Sequence, residues 1–361
     1  MIKEELGLIG RKELAAMVII SMGAKITDMT PTIIYQDTKN AGWMVPLLSG
    51  ILFMSLFIIF IKVIEKYPNK GLYELTLEVF GKKIGYTLNL GFFAIIFCAL
   101  IVDSRSHIDT IGTMYYPSTP IIIIYFIFIG TSFVVARKGL QVIGVVSWLV
   151  LPYLIGTLVL LLFLVFKDLQ FLRIFPILGP GIDVVAKEAA IKLSIFSDTL
   201  FFALFIPLLK RDEKFKTAST IGLVYSIIQL TIFYAVYVAL FDVIGIQRLM
   251  YPFHETTRFL SVGEYFTNTE TFFMALWLVG VMVKFSFYLF IACFMFAKLF
   301  SIKQIRPLLL PFATLIIFLG IIPENPVEVG FLLRENLLHI ASLYVAMYIV
   351  LIWIVSRVRG G

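Results

Sequence analysis

Met17-Val18-Ile19-Ile20-Ser21-Met22-Gly23-Ala24-Lys25-Ile26-Thr27-Asp28-Met29-Thr30-Pro31-Thr32-Ile33-Ile34 is an apolar run broken at its middle. It enters as a helix, meets a glycine and two charges, and resumes after a proline. Pro31 lacks a backbone donor and disfavours helix at Thr30, while Gly23 lets another backbone come close. If this run lies in a bilayer, Lys25 and Asp28 sit at mid-depth, where a charge costs about 2.5–3.5 kcal/mol on insertion scales. The expected element is a membrane helix interrupted near residues 23–31. The plainer alternative is a proline kink.

Composition places the run in lipid. Hydrophobic residues make up 60% of the 361 and charged residues only 15%, with a mean hydropathy of +0.98. A soluble domain is roughly 45–50% apolar and about 25% charged. Crossing a hydrocarbon core of about 30 Å takes about 20 helical residues. Candidate spans lie near 12–37, 43–64, 84–113, 118–136, 141–166, 184–209, 218–245, 270–300, 305–322 and 337–356. Barrel strands would be about ten residues long, so an all-α integral membrane bundle is the consistent class.

The basic residues orient it. Of the 30 Lys and Arg, nineteen fall in loops on the side of the N-terminus. Eight fall on the other side: Lys39, Lys167, Arg173, Lys187, Lys192, Arg248, Arg258 and Arg334. Lys25, Arg105 and Lys284 lie within spans. The positive-inside rule then predicts ten spans with both ends cytoplasmic, and the N-terminus reads as a short cytoplasmic tail, not a removed signal peptide. The same distribution explains the net charge of +7 without nucleic acid. Residues 71–83 suit an interfacial helix inside and residues 246–268 one outside. Cys98 and Cys293 have no metal-ligand or CxxC spacing and read as small buried hydrophobes.

A second interrupted span occupies the corresponding place, sixth after first. Lys192-Leu193-Ser194-Ile195-Phe196-Ser197-Asp198-Thr199 precedes Leu200, with Pro207 near the far end. Matched interruptions in two halves, here about 12–166 and 184–356, are the sequence pointer to a transporter-type site. Broken helices free N–H groups that suit a ligand carboxylate and carbonyls that suit an ammonium or cation. The candidate ligand-binding residues are Gly23, Ala24, Lys25, Thr27, Asp28, Ser194, Ser197, Asp198 and Phe202.

Lys25 needs an acid, carbonyls or water. It suits a ligand carboxylate, or the place of a coupling cation, or a structural pair with Asp28; Asp103 and Asp198 are further partners within reach. Lys284 lies midway along span eight, where it fills a cation site or braces spans one and eight. In span three, Asp103/His107 and Arg105/Asp109 are i,i+4 pairs on different faces. They line a solvated vestibule, or act as a gate or proton relay with His107 as the titrating member. His254 and His339 lie at external or helix-end positions without metal-ligand companions. No Ser/His/Asp grouping, phosphate loop or HExxH is present, so neither an enzyme nor a cofactor is expected.

Several segments, in order, carry a resemblance: Ala41-Gly42-Trp43, Gly81-Lys82-Lys83-Ile84-Gly85, Pro117-Ser118-Thr119-Pro120, and Gly139-Leu140-Gln141 with Pro152 interrupting span five. They continue with Phe175-Pro176-Ile177-Leu178-Gly179-Pro180-Gly181, Pro207-Leu208-Leu209-Lys210, Tyr251-Pro252, Arg258, Ser261-Val262-Gly263-Glu264 and Trp277. Together with two broken spans they resemble the B subunits of spore germinant receptors, within the amino acid–polyamine–organocation superfamily. The resemblance implies a LeuT-like 5+5 inverted repeat and a spore inner-membrane location. It also implies an A subunit and a lipoprotein C subunit as partners, and a small nutrient, foremost an amino acid, held between helices 1, 3, 6 and 8. Lys25 departs from the small residues usual in the first break. Phe266-Thr267-Asn268 departs from an arginine the family often carries before span eight. A proton-coupled amino-acid permease of the same fold is the alternative, and a non-binding scaffold a third.

Overall fold

The computed structural model describes residues 7–210, 215–260 and 269–359. Lys3, Arg211, Lys214 and the motif positions 261–264 and 266–268 lie outside the described residues. Among those described, the chain is helical without strands; Ile9 and Leu209 form an isolated parallel bridge that ties the entry of the first helix to the end of the sixth span.

The helices are α1 (Arg11–Gly23), α2 (Thr30–Thr38), α3 (Met44–Lys66), α4 (Leu72–Phe80), α5 (Lys82–Met114), α6 (Ile121–Arg137) and α7 (Leu140–Val165). There follow α8 (Ile182–Ile191), α9 (Asp198–Phe201), α10 (Phe215–Arg248), α11 (Pro252–Phe259), α12 (Thr269–Leu299), α13 (Arg306–Ile321) and α14 (Glu335–Arg359). Six stretches, Thr30–Lys66, Lys82–Met114, Leu140–Asp168, Phe215–Arg248, Thr269–Leu299 and Glu328–Arg359, are long and apolar enough to cross a membrane. Ile121–Arg137, Asp198–Leu208 and Arg306–Ile321 are shorter apolar helices. Large apolar side chains such as Leu149, Tyr153, Phe163 and Ile340 face outward while charged groups are buried inside. A soluble protein is arranged the other way round, so the chain is a multi-pass membrane protein.

The bundle centres on α12, which is buried on most sides from Phe273 to Leu299. Helix α1 packs on α10, α7 and α12, and α5 on α12 and α13. Small residues set the close crossings, as expected where lipid provides no hydrophobic drive between helices. Gly222 of α10 faces Val18, and Gly50 of α3 faces Ile227.

Both expected breaks are present. A 3₁₀ turn, Ala24–Ile26, separates α1 from α2, with Pro31 in the first turn of α2. In the sixth span, α8 passes through a 3₁₀ turn at Leu193–Phe196 into the single α-turn α9. The segment then continues as 3₁₀ through Phe202–Leu208, so it is wound more tightly than the resumed α-helix expected there. Helices α4 and α11 fall where the two interfacial helices were expected. Three expectations are corrected. Pro152 does not interrupt its span, since α7 runs through it; proline is tolerated inside membrane helices. Cys98 lies on the exposed outer face, and only Cys293 is buried. Lys192 and Arg334, counted among the external cations, are both buried.

Candidate functional site

The first break is closed by its neighbours. Thr27 Oγ1 donates to the Ala24 carbonyl at 2.8 Å. Tyr234 and Tyr237 of α10 donate their hydroxyls to the carbonyls of Lys25, at 3.2 Å, and Ile26, at 2.9 Å. Asp28 Oδ1 accepts from the Thr30 N–H at 2.8 Å and so starts α2. At the second break, the Ser194 N–H donates to Ser342 Oγ at 2.8 Å and its hydroxyl donates to Leu338 O at 2.8 Å. Ser197 Oγ donates to Ser194 O at 2.8 Å. Backbone groups freed by breaking a helix are costly in lipid unless satisfied this way.

Charged side chains cross between the breaks. Lys25 Nζ donates to Asp198 Oδ2 at 3.0 Å and to the Ile195 carbonyl. The same carboxylate oxygen accepts from Ser21 at 2.8 Å. Asp28 Oδ2 accepts from Arg334 Nη2 at 2.5 Å, and Arg334 Nη1 donates to Asp103 Oδ1 at 2.6 Å. Arg334 Nε reaches Thr30 Oγ1 at 2.9 Å, and Lys284 Nζ pairs with Asp103 Oδ2 at 3.0 Å. Lys25, Lys284 and Arg334 thus face Asp28, Asp103 and Asp198, all of them nearly inaccessible. Equal numbers of each sign are what a low-dielectric interior requires, since an unpaired buried charge is far more costly than a paired one.

Sequence expectations map onto this cluster unevenly. Asp198 rather than Asp28 is the acid of Lys25, and Lys284 ties span eight to span three through Asp103 instead of bracing spans one and eight directly. Asp103 and His107 do not pair through the carboxylate: His107 Nδ1 lies 2.8 Å from the Asp103 carbonyl oxygen. Arg105 and Asp109 do pair, at 2.8 Å, and Arg105 Nη1 also holds Gly320 O at 2.8 Å. All four of these span-three residues are buried, and Asp103 lines the cavity shared with Lys25 and Asp198. Phe202 stacks on Phe287 with ring centroids 4.3 Å apart and serves packing. His254 is fully buried in α11, its Nδ1 2.8 Å from Tyr115 OH.

Arg334 was missed. It ends a π-helical turn, Glu328–Arg334, just before α14. Such turns recur at functional sites. The available signal was an arginine directly after the apolar run Val329–Leu333. Lys192 is a further buried pair, 2.8 Å from Glu188 and 3.7 Å from Glu335.

The break divides the predicted ligand residues between two cavities. Lys25, Ser194, Ser197 and Asp198, with Asp103, Arg334 and Tyr288, line one of about 420 Å³, mouth included. Gly23, Ala24 and Thr27 line another, on the opposite face, of about 580 Å³. Asp28 lines neither of these cavities and is taken up by Arg334 and Thr30.

Two broken membrane helices joined across a charge-balanced core define a permease-like class of protein. The chain belongs to the spore germination protein (spore permease) family, which matches it over residues 11–329. Spore germination protein KB of Bacillus subtilis (strain 168) is 24% identical over 317 residues, 86% of this chain and 83% of that protein. Spore germination protein YndE of the same strain is 22% identical over 354 residues, 96% of this chain and 95% of that protein. Spore germination protein XB of Bacillus anthracis is 24% identical over 232 residues, 63% and 64% of the two chains.

Proposed function

We propose that this chain is the membrane subunit of a spore nutrient receptor, and that it binds a small zwitterion, foremost an amino acid, at the Lys25–Asp198 pair. The observation that carries the reading is that this pair joins the two breaks and lines a cavity with Ser194, Ser197 and Arg334. Binding there is an exchange. The ligand ammonium takes the place of Lys25 on Asp198 and Ile195 O, and the released Lys25 ammonium meets the ligand carboxylate. Each step conserves charge, which avoids the desolvation cost of an unpaired ion. Separating Lys25 from Asp198 also removes the ion pair that joins the two breaks, and that loosening is the signal passed on.

The proposal includes a ten-span, LeuT-like 5+5 arrangement: α1 with α2, α3, α5, α6, α7, α8 with α9, α10, α12, α13 and α14. Both termini are cytoplasmic, the location is the spore inner membrane, and the partners are a receptor A subunit and a lipoprotein C subunit. The chain performs no catalysis in this reading.

The test is nutrient response in spores carrying this chain with Asp198→Asn or Lys25→Met, at unchanged protein level. Both substitutions are expected to abolish the response to amino acids, and a normal response in either would refute the site. Stoichiometric amino-acid uptake by the purified chain in proteoliposomes would instead support the proton-coupled permease.

A further inference from the structure

The second cavity, behind the break, has a different chemistry. Helix α1 supplies Ile19, Ile20 and Gly23 as its floor with Ala24 of the following turn, α7 supplies Leu151, Leu154, Ile155 and Leu158, and Phe253 of α11 also lines it. Its walls also include Gln229 of α10 and Trp277, Gly280 and Val281 of α12. No charged side chain lines it. Leu154, Ile155, Leu158 and Gln229 are only partly buried, so the cavity faces the bilayer between α7 and α10.

Two polar atoms are left over there. Trp277 is 5% exposed, and its Nε1 donor has no hydrogen-bond partner among the described residues. The buried Oε1 acceptor of Gln229 is likewise unpartnered among them. An unpaired buried polar group costs about 1–3 kcal/mol, and one of each sense in a single cavity is the pattern left for a ligand. Trp277 is held rigidly for the purpose: His107 stacks on it at 5.9 Å and His254 meets it edge-on at 4.5 Å.

We infer that this cavity is a second binding site, separate from the Lys25–Asp198 site, for an uncharged and mostly apolar molecule carrying a hydroxyl or carboxamide. The acceptor of that group takes the Trp277 N–H, its donor meets Gln229 Oε1, and the apolar body lies along α1 and α7. A free amino acid is excluded, because nothing in the cavity answers either of its charges. The ligand enters from the bilayer and rests against Gly23, Ala24 and Thr27. It therefore touches the break from the side opposite Lys25 and acts as a modulator of the same hinge.

The probe is a medium-chain alkanol bearing an aliphatic diazirine, photolysed with the purified full chain in detergent and mapped by mass spectrometry. Saturable labelling of residues 151–158 and 277–281 is expected, with competition by the unlabelled alkanol. Gly280→Leu fills the cavity, since an added Cβ already lies 2.9 Å from Leu154 Cδ1, and is expected to cut labelling at least tenfold. Trp277→Phe keeps an aromatic ring and removes the donor, so labelling should weaken at least threefold while the protein still elutes as a monodisperse species. The matching diazirine alkane, without a hydroxyl, should label weakly and without saturation. Equal labelling by alkane and alkanol would overturn the proposal in favour of a lipid acyl chain. So would labelling that Trp277→Phe leaves unchanged. Because Lys25 and Asp198 are intact in these variants, the result is independent of the amino-acid site.

Discussion

Arg334 holds two carboxylates from different spans, Asp28 and Asp103, and reaches Thr30 as well. Removing one partner from a buried pair costs about 3–5 kcal/mol, because the surviving charge keeps its desolvation penalty. Arg334→Met leaves Asp28 without a cation while Asp103 keeps Lys284, so the expected loss falls within that range, read as a fall in the thermal midpoint in detergent. Arg334→Lys should recover only part of it. A single ammonium cannot reproduce the planar fork that serves both acids. Equal stability of Arg334→Met and the parent would mean that the acids are not charged in the folded protein. His254, outside the spans, gives a second expectation at this scale. Burial, with the charges of His107 and Arg258 adding to it, pushes its pKa down to about 3. An unfolded histidine titrates near ~6.5. The folded state gains fully from the neutral ring above that value and loses the gain as pH falls through 6.5 toward 3, by up to about 1.4 kcal/mol per pH unit. The midpoint should drop between pH 7.5 and 5.5, and His254→Gln should flatten that drop; an unchanged slope would show that His254 is already free to protonate.

At the scale of elements, the contact between α1 and α10 depends on glycine. A Cβ on Gly222 would lie 2.5 Å from Val18 Cγ1, so Gly222→Val forces the helices apart. Overpacking of this kind costs about 1–3 kcal/mol. Because α10 also supplies the tyrosines that close the first break, nutrient response should weaken together with stability. Near its far end α10 turns at Asp242, with φ 57°, and Asp242 Oδ1 caps the Gly245 N–H at 2.9 Å. Asp242→Ala loses that cap and strains a positive φ, for about 1–2 kcal/mol, whereas Asp242→Gly should cost less. Reversal of that order in a thermal melt would remove the cap from the account. The same elements explain what sequence could reveal. The breaks were legible because Gly23, Lys25, Asp28 and Pro31 crowd one short stretch and Ser194, Ser197 and Asp198 another. The pairing was not, because a broken helix no longer keeps residues three apart on one face, and Lys25 and Asp28 turn to different partners. Arg334 was hidden because a charge near the end of an apolar run looks interfacial until tertiary packing encloses it. Pro152 misled for a related reason: neighbouring helices can keep a span continuous through a proline, and nothing in the local sequence records them.

Over the whole molecule, the central charges tie the first break, α5, the second break, α12 and the turn before α14 into one unit whose net charge is zero. Such a core separates structural from functional roles by the way variants combine. Asp198→Leu alone leaves Lys25 with little beyond the Ile195 carbonyl, and Lys25→Met alone leaves Asp198 with Ser21. Each single change should therefore destabilise by about 3–5 kcal/mol. Lys25→Met with Asp198→Leu removes both charges together and fills much of the same volume. Replacing a buried pair by apolar residues is often neutral or stabilising, so the double variant should recover most of the loss. Recognition should not recover with it, since neither a carboxylate for the ligand ammonium nor an ammonium for its carboxylate remains. The decisive measurement is the pair of readouts on one set of four proteins: thermal midpoint in detergent, and nutrient response in spores at matched protein level. Stability restored with response still absent is the expected result. A double variant that still responds would make the pair a structural tie and move recognition elsewhere. One as unstable as the single changes would mean that the two charges do not neutralise each other, and the exchange mechanism would lose its basis.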